Sequence, residues 1–166
     1  MNCIAHRGFA GVNPENTVSA VRAAADSGAD CVEIDVRRCG SGELVVFHDE
    51  DLNRLTDATG TVAETPLATL QTLTILDSDA TIPTLAAVFD ALPDDVAVNV
   101  ELKERGLAED CLDVFGDVDN DVLVSSFDAD TLRELAAVSD VPLALLFANG
   151  PDAALTVARD SDCAAV

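Results

Sequence analysis

Apolar positions along the chain fall into short runs that alternate with amphipathic stretches. Runs at Cys3–His6, Cys31–Arg37, Leu44–His48, Val96–Lys103, Val122–Phe127 and Leu143–Phe147 read as strands. Asn16–Ser27, Thr84–Leu92, Leu107–Phe115, Ala129–Val138 and Asp152–Asp160 carry the helical period. Punctuation agrees: Pro83 precedes Thr84, Asp128 can cap the helix after it, and Gly28 follows the first helix. Strands alternating with helices predict an α/β fold, with a parallel sheet and helices outside it. One link breaks the alternation. The segment RCGSGE, Arg38 to Glu43, is too short for a parallel crossover, which needs about a dozen residues, so it predicts an antiparallel hairpin. With the turn centred on Cys39–Gly42, Arg38 faces Glu43 and Glu33 faces His48.

Side chains of a strand alternate between its two faces. In CVEIDVR, Val32, Ile34 and Val36 share one face, and Glu33, Asp35 and Arg37 the other. In VNVELK, Val98, Val100 and Leu102 oppose Asn99, Glu101 and Lys103. The apolar faces pack on helices, which turns the polar faces inward. Isolated buried carboxylates cost several kcal/mol or take up protons. A divalent cation resolves that cost for Glu33, Asp35 and Glu101, and an all-oxygen donor set suits Mg²⁺ or Ca²⁺. The competing reading is chance placement in an acid-rich chain.

Both histidines of the chain, His6 and His48, end strands beside these carboxylates. Their ordinary pKa near neutrality suits general base and acid work, against a purely structural alternative. Arg7 is a natural fork for a phosphate oxygen, or else a salt-bridge partner for one of many acids. Lys103 is the only lysine in the chain. An inward lysine escapes selection for an acidic surface, so it reads as a holder of an anionic substrate, with an ion pair to Glu101 as the alternative.

Charge narrows the partners. Thirty-one acidic residues against nine basic ones give a net charge of −22, which repels nucleic acid and anionic membrane. This reads as the solvated surface of a halophile. Five cysteines, odd in number and without CxxC spacing, argue against a disulfide framework or zinc site and fit a reducing cytoplasm. The start, MNCIAHRG, has no signal-peptide pattern, and no apolar stretch is long enough for a membrane span.

Seven ordered motifs carry a resemblance: AHRG (Ala5–Gly8), NPENT (Asn13–Thr17), GADCVEIDV (Gly28–Val36), VVFHD (Val45–Asp49), IPTL (Ile82–Leu85), NVELK (Asn99–Lys103) and SSFD (Ser125–Asp128). Together they resemble the glycerophosphodiester phosphodiesterase family. The resemblance implies a TIM-type βα barrel with a β-hairpin insertion after the second strand. It implies metal ligation by Glu33, Asp35 and Glu101, with one Mg²⁺ or Ca²⁺ as cofactor. His6 and His48 become the acid–base pair, Arg7 and Lys103 the phosphate contacts, and Glu15 and Asn16 supports at the barrel mouth. The implied reaction splits a glycerophosphodiester into glycerol 3-phosphate and an alcohol. In related barrels a neighbouring substrate hydroxyl attacks phosphorus.

Length departs from this pattern. A complete barrel takes about 200 residues or more, and the chain has 166 and no tryptophan. Residues 1–166 are therefore expected to form a single, C-terminally truncated domain with about five to six of eight barrel strands. Its open edge invites self-association. The alternative function is a non-catalytic remnant that retains a cation and phosphate site; a third reading is an acidic interaction protein with inert motifs.

Overall fold

The computed structural model describes residues 3–161 and 163–166. Five parallel strands lie side by side in the order β1 (Ile4–His6), β2 (Cys31–Arg38), β4 (Ala97–Leu102), β5 (Val122–Ser126) and β6 (Leu143–Leu145). β3 (Leu44–Val46) pairs antiparallel with β2 alone. An isolated parallel bridge joins Ala144 of β6 to Ala165. The helices are α1 (Val18–Asp26), α2 (Leu67–Leu70), α3 (Leu85–Phe89), α4 (Ala108–Phe115), α5 (Ala129–Ala136) and α6 (Pro151–Asp160). The sheet is an incomplete βα barrel, as expected. No described helix is long and apolar enough to cross a membrane.

Local chemistry sets the helix ends. Thr17, Thr84 and Asp128 cap α1, α3 and α5, their side-chain oxygens accepting from backbone N–H groups two or three residues on. Gly28 follows α1 with φ of +82°, a conformation that favours glycine. The apolar faces of β2 and β4 join buried residues of α1, α3, α4 and α5 in the main core. The polar faces of the same strands line the concave side.

The hairpin differs from expectation by one residue. Arg38 pairs with Leu44, Arg37 with Val45 and Val36 with Val46. Cys39 N donates to Glu43 O (3.0 Å) and Gly42 N to Cys39 O (2.9 Å), with Gly42 at φ +105°. The loop is thus three residues with a glycine in a positive-φ position, not two. Glu33 therefore does not face His48; its register partner is His6 on β1. β4 fills one edge of β2 as far as Val36. The other edge belongs first to β1, then to β3.

Beyond β3 the chain builds a small core of its own. Val45, Phe47, Leu52, Val62, Leu70, Ile75 and Ile82 cluster apart from the barrel core. The insertion is thus a packed subdomain and not a bare hairpin. It includes α2 and the 3₁₀ turns Leu52–Arg54 and Val62–Glu64.

The loop between β1 and α1 is pressed against the helix. A Cβ on Gly8 would lie 2.7 Å from Ala20 Cβ and 2.8 Å from Ala20 C, and Gly8 sits at φ +72°. Gly8→Ala should destabilise the protein by about 2–4 kcal/mol, combining overpacking with a left-handed backbone penalty. Denaturant unfolding checks this, and a change below ~0.5 kcal/mol would mean that the loop moves freely off α1.

Candidate active site

The inward residues sit near the C-terminal ends of the barrel strands, where barrel enzymes build their sites. Asp35 and Glu101 are register partners on β2 and β4, and Glu33 lies two residues before Asp35. One oxygen from each of Glu33, Asp35 and Glu101 lies within 4.8 Å of the others, and all three residues are buried. Like charges set opposite each other on adjacent strands repel. Two of their oxygens, Glu33 Oε1 and Asp35 Oδ1, are buried and accept no hydrogen bond. Converging orphaned carboxylate oxygens are the donor set of a hard divalent cation. The residues fit such an ion.

Two cations and an amide compensate part of this charge. Arg7 donates its backbone N–H to Glu33 Oε2 (2.9 Å), and its Nε lies 3.1 Å from Asp35 Oδ2. Asn16, wholly buried, donates Nδ2–H to the same Asp35 oxygen at 2.8 Å. Lys103 Nζ donates to Glu101 Oε1 at 2.5 Å and lies 3.4 Å from Asp35 Oδ1. Lys103 therefore does make the ion pair with Glu101. Burial, the charge of Asp35 and that of Glu101 push the Glu33 carboxyl up to about 8, with the Arg7 N–H opposing them.

The loop that delivers these groups is strained. Arg7, Phe9 and Asn16 are non-glycine residues at φ of 51°, 62° and 59°. Such backbone persists where surrounding contacts over-determine it. Here it turns the Arg7 amide toward Glu33 and the Asn16 amide toward Asp35.

The histidines flank the carboxylates differently. His6 ends β1, its side chain 66% exposed, with Nε2 3.8 Å from Glu33 Oε2. His48 follows β3; its Nδ1 lies 2.6 Å from Asp49 Oδ1, and its carbonyl accepts from Arg37 Nε at 2.9 Å. Glu15 accepts from Arg7 Nη1 at 2.9 Å and also from Arg54. Burial raises the Glu15 pKa, but hydrogen bonds from Arg54 and Arg7 outweigh it and leave the pKa low.

Residues 6–166 match the glycerophosphoryl diester phosphodiesterase family. The chain belongs to that family. It is 35% identical over 149 residues to an uncharacterized Bacillus subtilis protein (81% of this chain, 61% of that one). Over 165 residues it is 33% identical to a glycerophosphodiester phosphodiesterase of Caldanaerobacter subterraneus (89% and 67%). A solved Oleispira antarctica phosphodiesterase, in complex with the product sn-glycerol-3-phosphate, superposes with TM-score 0.91 at 33% identity, covering 99% of this chain and 73% of that one. The chain spans roughly two thirds of the length of these curated family relatives (61% and 67%).

Sequence reading gives no role to four residues beside these carboxylates and histidines. Arg37 lies on the inward face by alternation, but alternation alone gives it no role. Asp49 and Arg54 escape notice because acids are common here and the insertion shows no periodicity. Ser125, the register partner of Glu101, is fully buried with an unpartnered Oγ.

The Glu33 shift has a definite sign. A carboxyl raised from 4.5 to about 8 contributes stability below its ordinary pKa and loses it as pH rises to the folded value. Metal-free protein should therefore lose stability between about pH 5 and 8, and Glu33→Gln should flatten that part of the profile. Urea unfolding of both proteins across this range checks it; equal slopes would show that Glu33 ionises without penalty.

Proposed function

We propose that this chain hydrolyses glycerophosphodiesters to glycerol 3-phosphate and an alcohol, with one Mg²⁺ or Ca²⁺ held by Glu33, Asp35 and Glu101. The observation that carries this reading is the convergence of three buried carboxylates, two with orphaned oxygens, beside a strand-end histidine. Membership of the family and its product-bound relative support the substrate class.

When bound, the cation acts as a Lewis acid that neutralises charge on the phosphoryl oxygens. Lys103 brings three N–H donors; one is given to Glu101, and the ammonium lies 3.4 Å from Asp35 Oδ1 with donors left for a phosphoryl oxygen. Arg7 extends the positive wall on the side of Glu15 and Asp35. One imidazole of the His6 and His48 pair takes the proton from the attacking oxygen, and the other gives a proton to the leaving alkoxide. The Asp49 carboxylate lies 2.6 Å from Nδ1 of His48 and holds that ring in place. Asn16 holds Asp35 and Glu15 holds Arg7, and neither takes a proton.

The acidic surface argues for assay in high salt. Burial pushes the Cys111 thiol up to about 12, which makes it an inert core residue.

One observation favours a second reading, a domain that binds cation and phosphate without turnover. Ile4, on the inward face of β1, is 55% exposed, so the pocket lacks a wall on that side among the described residues.

The test is release of glycerol 3-phosphate by purified chain with Mg²⁺ or Ca²⁺. His6→Ala and His48→Ala should each lower turnover by about 10²-fold or more with the fold intact. Cation binding without product would favour the second reading. Lys103→Met should weaken substrate binding or turnover beyond whatever stability is lost with its pair to Glu101, and Lys103→Arg should not fully rescue it, because a planar fork replaces a compact charge. A large stability loss at unchanged turnover would make Lys103 a structural partner of Glu101 alone.

A further inference from the structure

Arg54 closes the 3₁₀ turn at the start of the insertion, and its side chain reaches both the neighbour of His48 and the barrel mouth. Its Nη2 and Nη1 donate to Glu15 Oε1 (2.7 Å) and Oε2 (3.1 Å). Its Nε and Nη2 donate to Asp49 Oδ2 and Oδ1, the second at 3.1 Å. One guanidinium thus grips two carboxylates, each through two oxygens. That geometry requires the planar fork of arginine.

We propose that Arg54 is a positioning residue: it fixes the Asp49 carboxylate that orients the His48 imidazole, and it docks the insertion on the barrel mouth through Glu15. For its effect on turnover the proposal rests on the hydrolytic reading above. Asp49 Oδ1 is shared between Arg54 Nη2 and His48 Nδ1. An ionised Asp49 only accepts, so in the neutral ring Nδ1 carries the proton and Nε2 is left to exchange one. The Arg54 hydrogen bond, helped by His48 and opposed by burial, brings the Asp49 carboxyl down to about 2. Asp49 is therefore a fixed acceptor across the working pH range. The same chain of contacts runs on from Glu15 to Arg7 and from Arg7 to Asp35. His48 is thereby registered against the carboxylate cluster although it stands on a separate small core.

Exposed ion pairs contribute little to stability, and the Arg54 side chain is 45% exposed. What distinguishes positioning from mere bracing is the state of the imidazole. Nitrogen-15 NMR of the His48 ring reads it directly, in wild type, Arg54→Gln, Arg54→Lys and Asp49→Asn. Wild type should show the Nδ1–H tautomer, and both Arg54 variants a mixture of tautomers. Turnover should fall about 10- to 100-fold in either Arg54 variant, mostly in kcat. The double variant Arg54→Gln/Asp49→Asn should lose much less turnover than the two single losses combined, because Arg54 acts on His48 through Asp49. Mg²⁺ binding should survive, since Arg54 touches none of the three metal carboxylates. An unchanged tautomer in folded, Mg²⁺-binding Arg54 variants would overturn the proposal. So would additive effects of Arg54 and Asp49, or loss of the fold in both Arg54 variants, which would make Arg54 a structural clamp. Absence of turnover in wild type would sink the hydrolytic reading instead, and the imidazole signature would still decide the role of Arg54.

Discussion

Three carboxylates share one small buried space, and the surrounding structure answers their repulsion. Asp35 and Glu101 are held opposite each other by the sheet register. Neither can turn away without breaking the alternation that sends Ile34 and Val100 to the core, where both are fully buried on the other face of the sheet. The charge must therefore be met in place. Arg7, Asn16 and Lys103 meet it from two parts of the chain. Asn16 and Arg7 come from a left-handed loop, and Lys103 from the continuation of β4.

The strained loop follows from that demand. A backbone N–H is a donor that carries no net charge and needs no room for a side chain, and Arg7 uses its own for Glu33. Positive φ at Arg7 and Phe9, with Gly8 between them against Ala20, accompanies that inward turn of the amide. Its cost is of the order of 1–3 kcal/mol per strained residue, and it is tolerated where it secures a site. Asn16 offsets part of it by bonding Asp35 twice: Nδ2–H donates to Oδ2, and the side-chain carbonyl accepts from the Asp35 backbone N–H.

Much of this was legible because strands obey a period of two. The burial of Val32, Ile34 and Val36 forced Glu33 and Asp35 to the other face, and the same held for Glu101 in β4 and Lys103 just past its end. The helix start near Thr84 and the cap at Asp128 were legible through Pro83 and the position of the acid. The hairpin register was not, since RCGSGE admits loops of two or three residues, and only the Gly42 backbone decides between them. The insertion core was also hidden. Its members stand singly among threonines and aspartates from Leu52 to Ile82, and no period links them. Arg54 was lost with it, because its partners lie 39 residues away at Glu15 and on a neighbouring turn at Asp49.

The single lysine can now be placed in the charge balance of the site. Glu33, Asp35 and Glu101 carry three negative charges when ionised, against two positive charges from Arg7 and Lys103. With the Glu33 carboxyl raised to about 8, that residue keeps its proton near neutrality and the metal-free cluster is balanced. With a divalent cation added and Glu33 ionised, the same five side chains and the ion carry one net positive charge. A phosphodiester is a monoanion, so on the proposed reading a filled site would be complementary to it, while the chain as a whole, at −22, is not. Replacing Lys103 by a neutral residue would bring the filled site to zero and remove that attraction. An arginine would restore the charge, but its delocalised plane would have to fit between Glu101 and Asp35, where the ammonium now reaches both from a single point. A chain that otherwise does without lysine keeps one where a compact cation lies against two buried carboxylates.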